Sequence, residues 1–453
     1  MQKLNTLYTF LLLFLLTASC KKLTDVPPDE RQQRLTTLDA CQAVLDNDMV
    51  MNGYGNYGYP SMPIISADEY NPTMGEFDSC SLVNQQAMTW SRTFDTGDEF
   101  PDWDLPYGTV ASANNVLSAL SNISQTGQAA RWQGIENSAH LYRGFAFYTL
   151  SQVFSPPYDS ATARNTWGIP LPLTPGRNQQ IVRATVQQTY DQILSDLRAA
   201  RNVPPKDDNW RPTRPSITAV YAMLARTYLS MRKYRQALLY ADSAIQQQPD
   251  LMHFDTIPPD RIFSFYRWNP EVIFSAAYYP SGPAAIFHSH IEGGLYSSYR
   301  PGDLRKDLYF KFGDFYFGTF DEAGYCFTGL AVDEVYLDRS ECEARLGNTT
   351  AAMADLNYLL QTRWANGAFT PYTATDADDA LKQILAERKK ELVFRGLRWT
   401  DLRRLNLDKK TQQSISRTIN GITYILPPND PRWTLPIPGY VLDFNPGMPQ
   451  NIR

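Results

Sequence analysis

YAMLARTYLSMRKYRQALLYADSAIQQQP, residues 221–249, sets small and large residues in a repeating order that decides the fold. Laid on the roughly 34-residue tetratricopeptide pattern, Tyr221, Leu224, Ala225, Tyr228, Tyr234, Ala237, Ala244 and Pro249 take matching positions, with Ala241 where a large aromatic is usual. The logic is steric. Ala225 and Ala237 let two antiparallel helices approach closely, Tyr228 fills the groove between them, and Pro249 stops the second helix. Weaker versions occur at AHLYRGFAFYTLSQVF, residues 139–154, and at VYLDRSECEARLGNTTAAMADLNYLL, residues 335–360, where Gly347 keeps the turn and Ala352 the close contact. Stacked pairs of this kind form a short superhelix; ordinary bundle helices are the alternative for the two weaker segments.

Helical signals dominate from Thr36 onward. Thr185 with Gln188 makes a capping box, after which Val186, Tyr190, Ile193, Leu197 and Ala200 define one buried face, ended by Asn202-Val203-Pro204-Pro205. The texture changes between residues 251 and 330, where IFSFYRWNPEVIFSAAYYPSG and GGLYSSYRPGDLRKDLYFKFGDFYFGTF read as loops and short strands. A second irregular region, MNGYGNYGYPSMPIISADEY, spans residues 51–70. Functional surfaces gather on loops held by a rigid scaffold, so these two regions are the expected binding part.

At the N-terminus, Lys3, the apolar run Leu7–Leu16 and the small residues Thr17-Ala18-Ser19 read as a secretory signal, residues 1–19, removed in the mature chain. The run is short of the about 20 residues that a membrane-spanning helix needs. Cys20 then reads as a lipid-attachment site, the alternative being ordinary cleavage beside a free thiol. Residues 20–35, polar and proline-containing, form a flexible tether, and residues 36–453 one helical domain.

The net charge of −5, with basic residues scattered, argues against a nucleic-acid partner. Cys41, Cys80, Cys326 and Cys342 show no CxxC spacing, which argues against zinc and leaves any of the disulfide pairings, or none, open. Aromatic residues make up 13% of the chain, and Tyr and Trp are the side chains that stack on sugar faces. The candidate rings are Tyr54, Tyr57, Tyr59, Trp90, Trp268, Tyr278, Tyr279, Tyr296 and Tyr299. His288, His290 and Glu292 alternate and would share one strand face, but no fourth ligand stands nearby, so neither a metal nor a cofactor is assigned.

Near the C-terminus, ERKKELVFRGLRWTDLRRL, residues 387–405, follows the apolar face of Leu381, Ile384 and Leu385. Glu387, Glu391, Arg395 and Arg398 fall on one side of a helix, with charges that can pair along it. An ion network is favoured over an acid/base pair, because arginines so close hold both carboxylates ionised. The run Glu387-Arg388, Glu391-Leu392, Gly396, Arg398-Trp399, Asp401-Leu402 and Arg404 resembles the signature of the SusD/RagB family of outer-membrane nutrient-binding lipoproteins. Further fragments follow in that family's order: Cys20 with its lysines and DVPP, TVASANNVL (109–117), the 139–150 helix, GIPLPL (168–173), the repeat hairpin, NPEVIFS (269–275), YRPGDLRKD (299–307) and LPIPGYVLDFNPGMPQN (435–451). The chain departs from the pattern at Arg395 and at Gly439-Tyr440-Val441, where acidic residues are usual.

The resemblance implies a mainly α fold, with a tetratricopeptide-like hairpin scaffold and an irregular, loop-rich ligand-binding part. It also implies a lipid-anchored protein at the cell surface of the outer membrane, seated as a lid on a SusC-like TonB-dependent transporter. Its activity would be capture of oligosaccharide, or of peptide, for delivery to that transporter, with no reaction catalysed. A surface scaffold or adhesin is a second reading. A glycosidase is a third and weaker one, since GxSxG, HExxH and phosphate-loop motifs are missing from the sequence.

Overall fold

Residues 35–54, 60–176, 181–203, 210–278 and 290–453 are described in the computed structural model of the chain. The scaffold opens with α1 (Leu38–Leu45), where the Thr37 hydroxyl accepts the Ala40 N–H at 3.2 Å. Helix α2 (Pro101–Leu120) packs along α3 (Ala129–Phe154), and α3 along α4 (Val186–Ala199). The expected capping box starts α4: Gln188 N–H donates to Thr185 Oγ1 at 3.1 Å, and Thr185 N–H to Gln188 Oε1 at 2.8 Å. Its predicted face, Val186, Tyr190, Ile193, Leu197 and Ala200, is buried. The segment 139–154 is the C-terminal part of α3, with Leu141 to Phe154 buried throughout.

Helices α5 (Ile217–Ser230) and α6 (Tyr234–Gln247) are the predicted hairpin. Ala225, Ala237, Ala241 and Ala244 are buried at its seam. Tyr228 stacks on Tyr240 with ring centres 5.6 Å apart and planes 2° from parallel. The large aromatic thus stands one residue before the position the repeat pattern assigns. Helices α7 (Val332–Arg345) and α8 (Thr349–Gln361) make a second hairpin, with Gly347 at φ 86° in the turn. Here Ser340 Oγ donates to the carbonyl of Ala352 at 2.8 Å, and Ala352 is fully buried. Helix α6 packs on α7, so the hairpins stack.

The run at 387–405 departs from the single helix expected. Helix α9 (Ala377–Glu391) stops, and α10 (Arg398–Leu405) starts afresh. Between them Phe394 (φ 56°) and Gly396 (φ 72°) take left-handed backbone conformations that no helix continues through. Arg395 and Arg398 therefore leave the face of Glu387 and Glu391. Arg395 pairs with Asp333 at 3.2 Å and Arg398 with Asp68 at 2.7 Å. The ion network exists, but it runs mainly between elements, with Lys390–Glu387 and Arg404–Asp401 as pairs within a helix.

The loop-rich part holds the short strands expected between 251 and 330. Val272–Phe274 pairs antiparallel with Leu330–Ala331, and Ala277–Tyr278 with Cys326–Phe327. A four-stranded antiparallel sheet orders Tyr70–Asn71, His290–Ile291, Phe315–Tyr316 and Phe310–Lys311. Residues 60–70 correct the expectation of a second surface region: Ser61 to Ala67 are buried, and the N–H groups of Ser61 and Met62 donate to Asp102 Oδ1 at 2.8 and 3.0 Å. The apolar run Met62-Pro63-Ile64-Ile65 explains it, because those side chains are drawn into the core.

That core runs without a break from Leu38 to Ile437. A smaller cluster joins Trp90, Trp399, Leu402, Ile415, Leu426 and Trp433. Cys41, Cys80, Cys326 and Cys342 are all buried as free thiols, which settles the pairing question left open by the sequence. Among the described residues no helix is long and apolar enough to cross a membrane.

Candidate ligand-binding site

The turn Tyr266-Arg267-Trp268-Asn269-Pro270 precedes the strand Val272–Phe274. Asn269 shapes it: its Nδ2 donates to the Tyr266 carbonyl at 3.2 Å and its Oδ1 accepts the Glu271 N–H at 3.1 Å. Within the turn Trp268 sits at φ 60°, a conformation a bulky residue holds only against a steric cost. The indole lies with the Arg267 guanidinium 4.8 Å and the Arg211 guanidinium 5.7 Å from its ring centre. Arg267 also covers the Tyr54 ring at 3.9 Å. Tyr54 is held from behind, by a 2.7 Å hydrogen bond between its hydroxyl and Ser275 Oγ and by the Tyr325 ring at 5.2 Å.

Two carboxylates form long ion pairs with Arg267. Asp321 Oδ2 is 3.6 Å from its Nε and Asp48 Oδ2 is 3.9 Å from its Nη2, both too long for hydrogen bonds. Arg267 Nε, Trp268 Nε1 and Asp321 Oδ2 are consequently buried without a hydrogen bond, two donors and one acceptor in one cluster. A hydroxyl group or water inserted among them would satisfy what the protein leaves open. Burial pushes the Asp321 carboxyl up, against the opposing pull of the Ala323 N–H and Arg267. Burial likewise pushes Tyr54 up to about 12, with the Asp321 charge adding to it.

The loop-rich part also exposes aromatic rings. Tyr266 is 61% exposed beneath the Arg261 guanidinium, 3.7 Å from its ring centre. Phe312, 74% exposed, caps the tip of the 310–316 hairpin and meets Phe317, which in turn packs on Phe263.

The structure brings two of the predicted rings, Tyr54 and Trp268, together across Arg267. Tyr54 is itself buried beneath Arg267, and others of the predicted rings lie in the interior as well. Trp90 is buried, donating from Nε1 to the Ser66 carbonyl at 2.9 Å inside the small tryptophan cluster. Tyr278 is buried on a strand beside Cys326, and buried Tyr299 donates to the Lys390 carbonyl at 2.8 Å. Tyr296 is half-buried, bracing the 310–316 hairpin through a 2.9 Å bond from its hydroxyl to the Gly313 carbonyl. Tyr57, Tyr59, Tyr279, Cys20 and His288 lie outside the described residues. His290 Nδ1 is 2.8 Å from Asp314 Oδ1, while Glu292 accepts the N–H groups of Gly294 and Leu295. Those two members of the alternating trio are thus occupied. Among the described residues no group of three or more His, Cys, Asp or Glu is placed to hold a metal ion.

Sequence reasoning missed Arg267, Asp321, Tyr266 and Phe312. The single cation set among rings in Phe265-Tyr266-Arg267-Trp268 was a readable signal for the first and third. Asp321 was not readable, because only folding carries it to Arg267.

A family profile described as "Starch-binding associating with outer membrane" matches residues 24–229, and one described as "SusD family" matches residues 332–453. No curated protein matches the chain. Among solved structures, a SusD superfamily protein from Bacteroides thetaiotaomicron superposes with a TM-score of 0.75 at 20% identity, covering 92% of this chain and 100% of its own. Surface glycan-binding protein A from Bacteroides fluxus gives a TM-score of 0.67 at 17% identity, over 91% of this chain and 98% of its own. A laminarin-binding SusD-like protein gives 0.64 at 16% identity, over 91% and 98%. With profiles of one family at both ends and that family's fold across the length between them, this chain belongs to the SusD/RagB family.

Proposed function

We propose that this protein is a cell-surface glycan-binding lipoprotein that captures oligosaccharide and hands it to a SusC-like TonB-dependent transporter in the outer membrane. The observation that carries this reading is the cluster of Arg267 Nε, Trp268 Nε1 and Asp321 Oδ2, buried without hydrogen bonds among stacked rings and guanidinium groups. A sugar ring offers both complements at once: an apolar C–H face for the indole or phenol, and hydroxyls that donate and accept. One structural neighbour is a laminarin-binding SusD-like protein and another a surface glycan-binding protein, which supports the same ligand class. Binding without turnover also fits Glu387 and Glu391. Arg305 and Lys390 engage Glu387, and Arg305 and Arg363 engage Glu391, so neither carboxylate is left to act as an acid or base.

In the same reading residues 1–19 are the signal, Cys20 carries the lipid, residues 20–35 are the tether and residues 36–453 form the binding domain. The test is calorimetry of the chain from Lys21 onward against panels of oligosaccharides and of peptides. A glycan isotherm abolished by Trp268→Ala is expected. Heat from peptides alone would move the protein to peptide capture, and silence toward glycans would sink the oligosaccharide reading.

A further inference from the structure

A cleft of about 380 Å³, sharing no residue with the site above, lies where the C-terminal segment crosses the end of α10. Pro156, Trp167, Arg183, Arg403, Asn406 and Trp433 line it. Its volume is that of a small-ligand pocket. Its two arginines are unusual in this protein. Buried arginines elsewhere, Arg143, Arg226, Arg305, Arg363, Arg388 and Arg404, each pair with a carboxylate. Arg183 does not: it donates to the carbonyls of Gly168 and Pro449 at 2.8 and 2.9 Å and to Asn451 Oδ1 at 2.8 Å. Arg403 is held by the carbonyls of Gln152 and Ser155. Arg417 is also held by carbonyls, but it stacks on Tyr70 and Trp90 and is absent from the cleft lining.

The acidic residues at the cleft do not cancel these charges, because each is already matched. Asp430 pairs with Arg432 at 2.8 Å and Asp159 with Arg232 at 3.5 Å. Two buried cations therefore stand beside an open cleft with no anion to balance them. Two N–H groups there are also unpaired: Arg403 Nε and Asn406 Nδ2, from residues one turn apart. Burial without a neighbouring carboxylate pulls Arg183 and Arg403 each down to about 10, the direction an incoming anion would reverse. At the cleft Trp167 is 49% exposed, an apolar plate with no other assigned role.

We infer that this cleft is a second binding site, which takes a small organic carboxylate: the anion toward Arg403 and Asn406, the body against Trp167. A planar carboxylate suits a guanidinium and an amide donor side by side. The chemistry is shared by sugar acids and by simple carboxylic acids, so the experiment carries both. The chain from Lys21 onward is titrated with sodium glucuronate, sodium propionate and glucose, read by calorimetry and tryptophan fluorescence.

Saturable glucuronate binding with glucose at least about tenfold weaker is expected, since a hydrogen bond to a charged group outweighs a neutral one. Propionate matching glucuronate would assign the site to simple carboxylates, and glucuronate alone to sugar acids; either supports the inference. Trp167→Ala, at a half-exposed position where folding is preserved, should weaken binding about tenfold, whereas Trp268→Ala should leave it unchanged. Arg403→Lys should weaken it further, and if that variant fails to fold, Trp167→Ala still decides. Equal binding of glucose and glucuronate, no saturation by either carboxylate, or loss in Trp268→Ala but not in Trp167→Ala would overturn the inference.

Discussion

Arg363 Nε donates to Glu391 Oε1 at 2.7 Å, and both side chains are wholly buried. From this pair the network spreads outward. Arg363 Nη2 reaches Glu271 at 2.8 Å, while Arg305 joins Glu391, Glu387 and Asp303 at 3.0, 2.7 and 2.7 Å. Glu271 stands in the turn after Trp268, so helix α9 is tied through charge to the segment that carries the candidate site. Glu391→Leu leaves two arginines short of a counter-charge, and a loss of about 3 to 5 kcal/mol is expected. Chemical denaturation checks it; a change inside the scatter of surface variants would show the pair to be dispensable.

Glu69 gives a pH signature. Its side chain is buried, Oε1 accepts the Phe394 N–H at 3.2 Å, and Oε2 has no partner. Burial, reinforced by the Asp68 charge, pushes its carboxyl up to about 8. The folded state then holds this proton more tightly than the unfolded chain, so Glu69 favours folding at low pH. That contribution falls away as pH rises from about 4.5 towards 8. Glu69→Gln keeps the acceptor and removes the titration. Its stability relative to wild type should rise steadily across that window, and a pH-independent difference would refute the assignment.

Trp268 and Trp90 should separate ligand loss from fold loss. Trp268→Ala removes the ring at the candidate site and leaves the left-handed backbone as it is, so glycan binding should vanish with little change in melting temperature. Trp90→Ala empties the tryptophan cluster and should cost about 3 to 5 kcal/mol. The reverse pattern in thermal-shift and binding assays would relocate the site.

The hairpin seam is tight at Ala237, which has no exposed surface. Ala237→Leu forces α5 and α6 apart, and a cost of about 1 to 3 kcal/mol is expected in denaturant titrations. Ala237→Gly, by contrast, costs only helix propensity, about 1 kcal/mol.

Cys20→Ala tests the anchor. In cell fractionation the variant should move from membrane to soluble fractions while a purified sample melts like the wild type. Unchanged membrane association would argue against lipid attachment at this residue.

The site was partly legible in advance. Trp268 is one of nine candidate rings, chosen because it lies in a loop-rich stretch, a local property. Trp90 and Tyr299 carried the same side-chain chemistry, yet folding sent both inward, to the carbonyls of Ser66 and Lys390. Burial depends on partners far away in the chain, and a single sequence does not name them.

By itself the sequence determined the hairpin of residues 221–249, the start of α4 at Thr185 and the loop-rich character of 251–330. Each follows from steric and capping preferences acting within a few residues. Only the tertiary structure decided that helix α9 ends at Glu391, that Arg395 and Arg398 turn to Asp333 and Asp68, and that Arg267 bridges Tyr54 and Trp268. It likewise decided that Arg183 and Arg403 share a cleft without an anion. Charge pairing and ring stacking act through space over a few ångströms, and residues joined here, Arg398 with Asp68 and Arg267 with Tyr54, stand hundreds of positions apart.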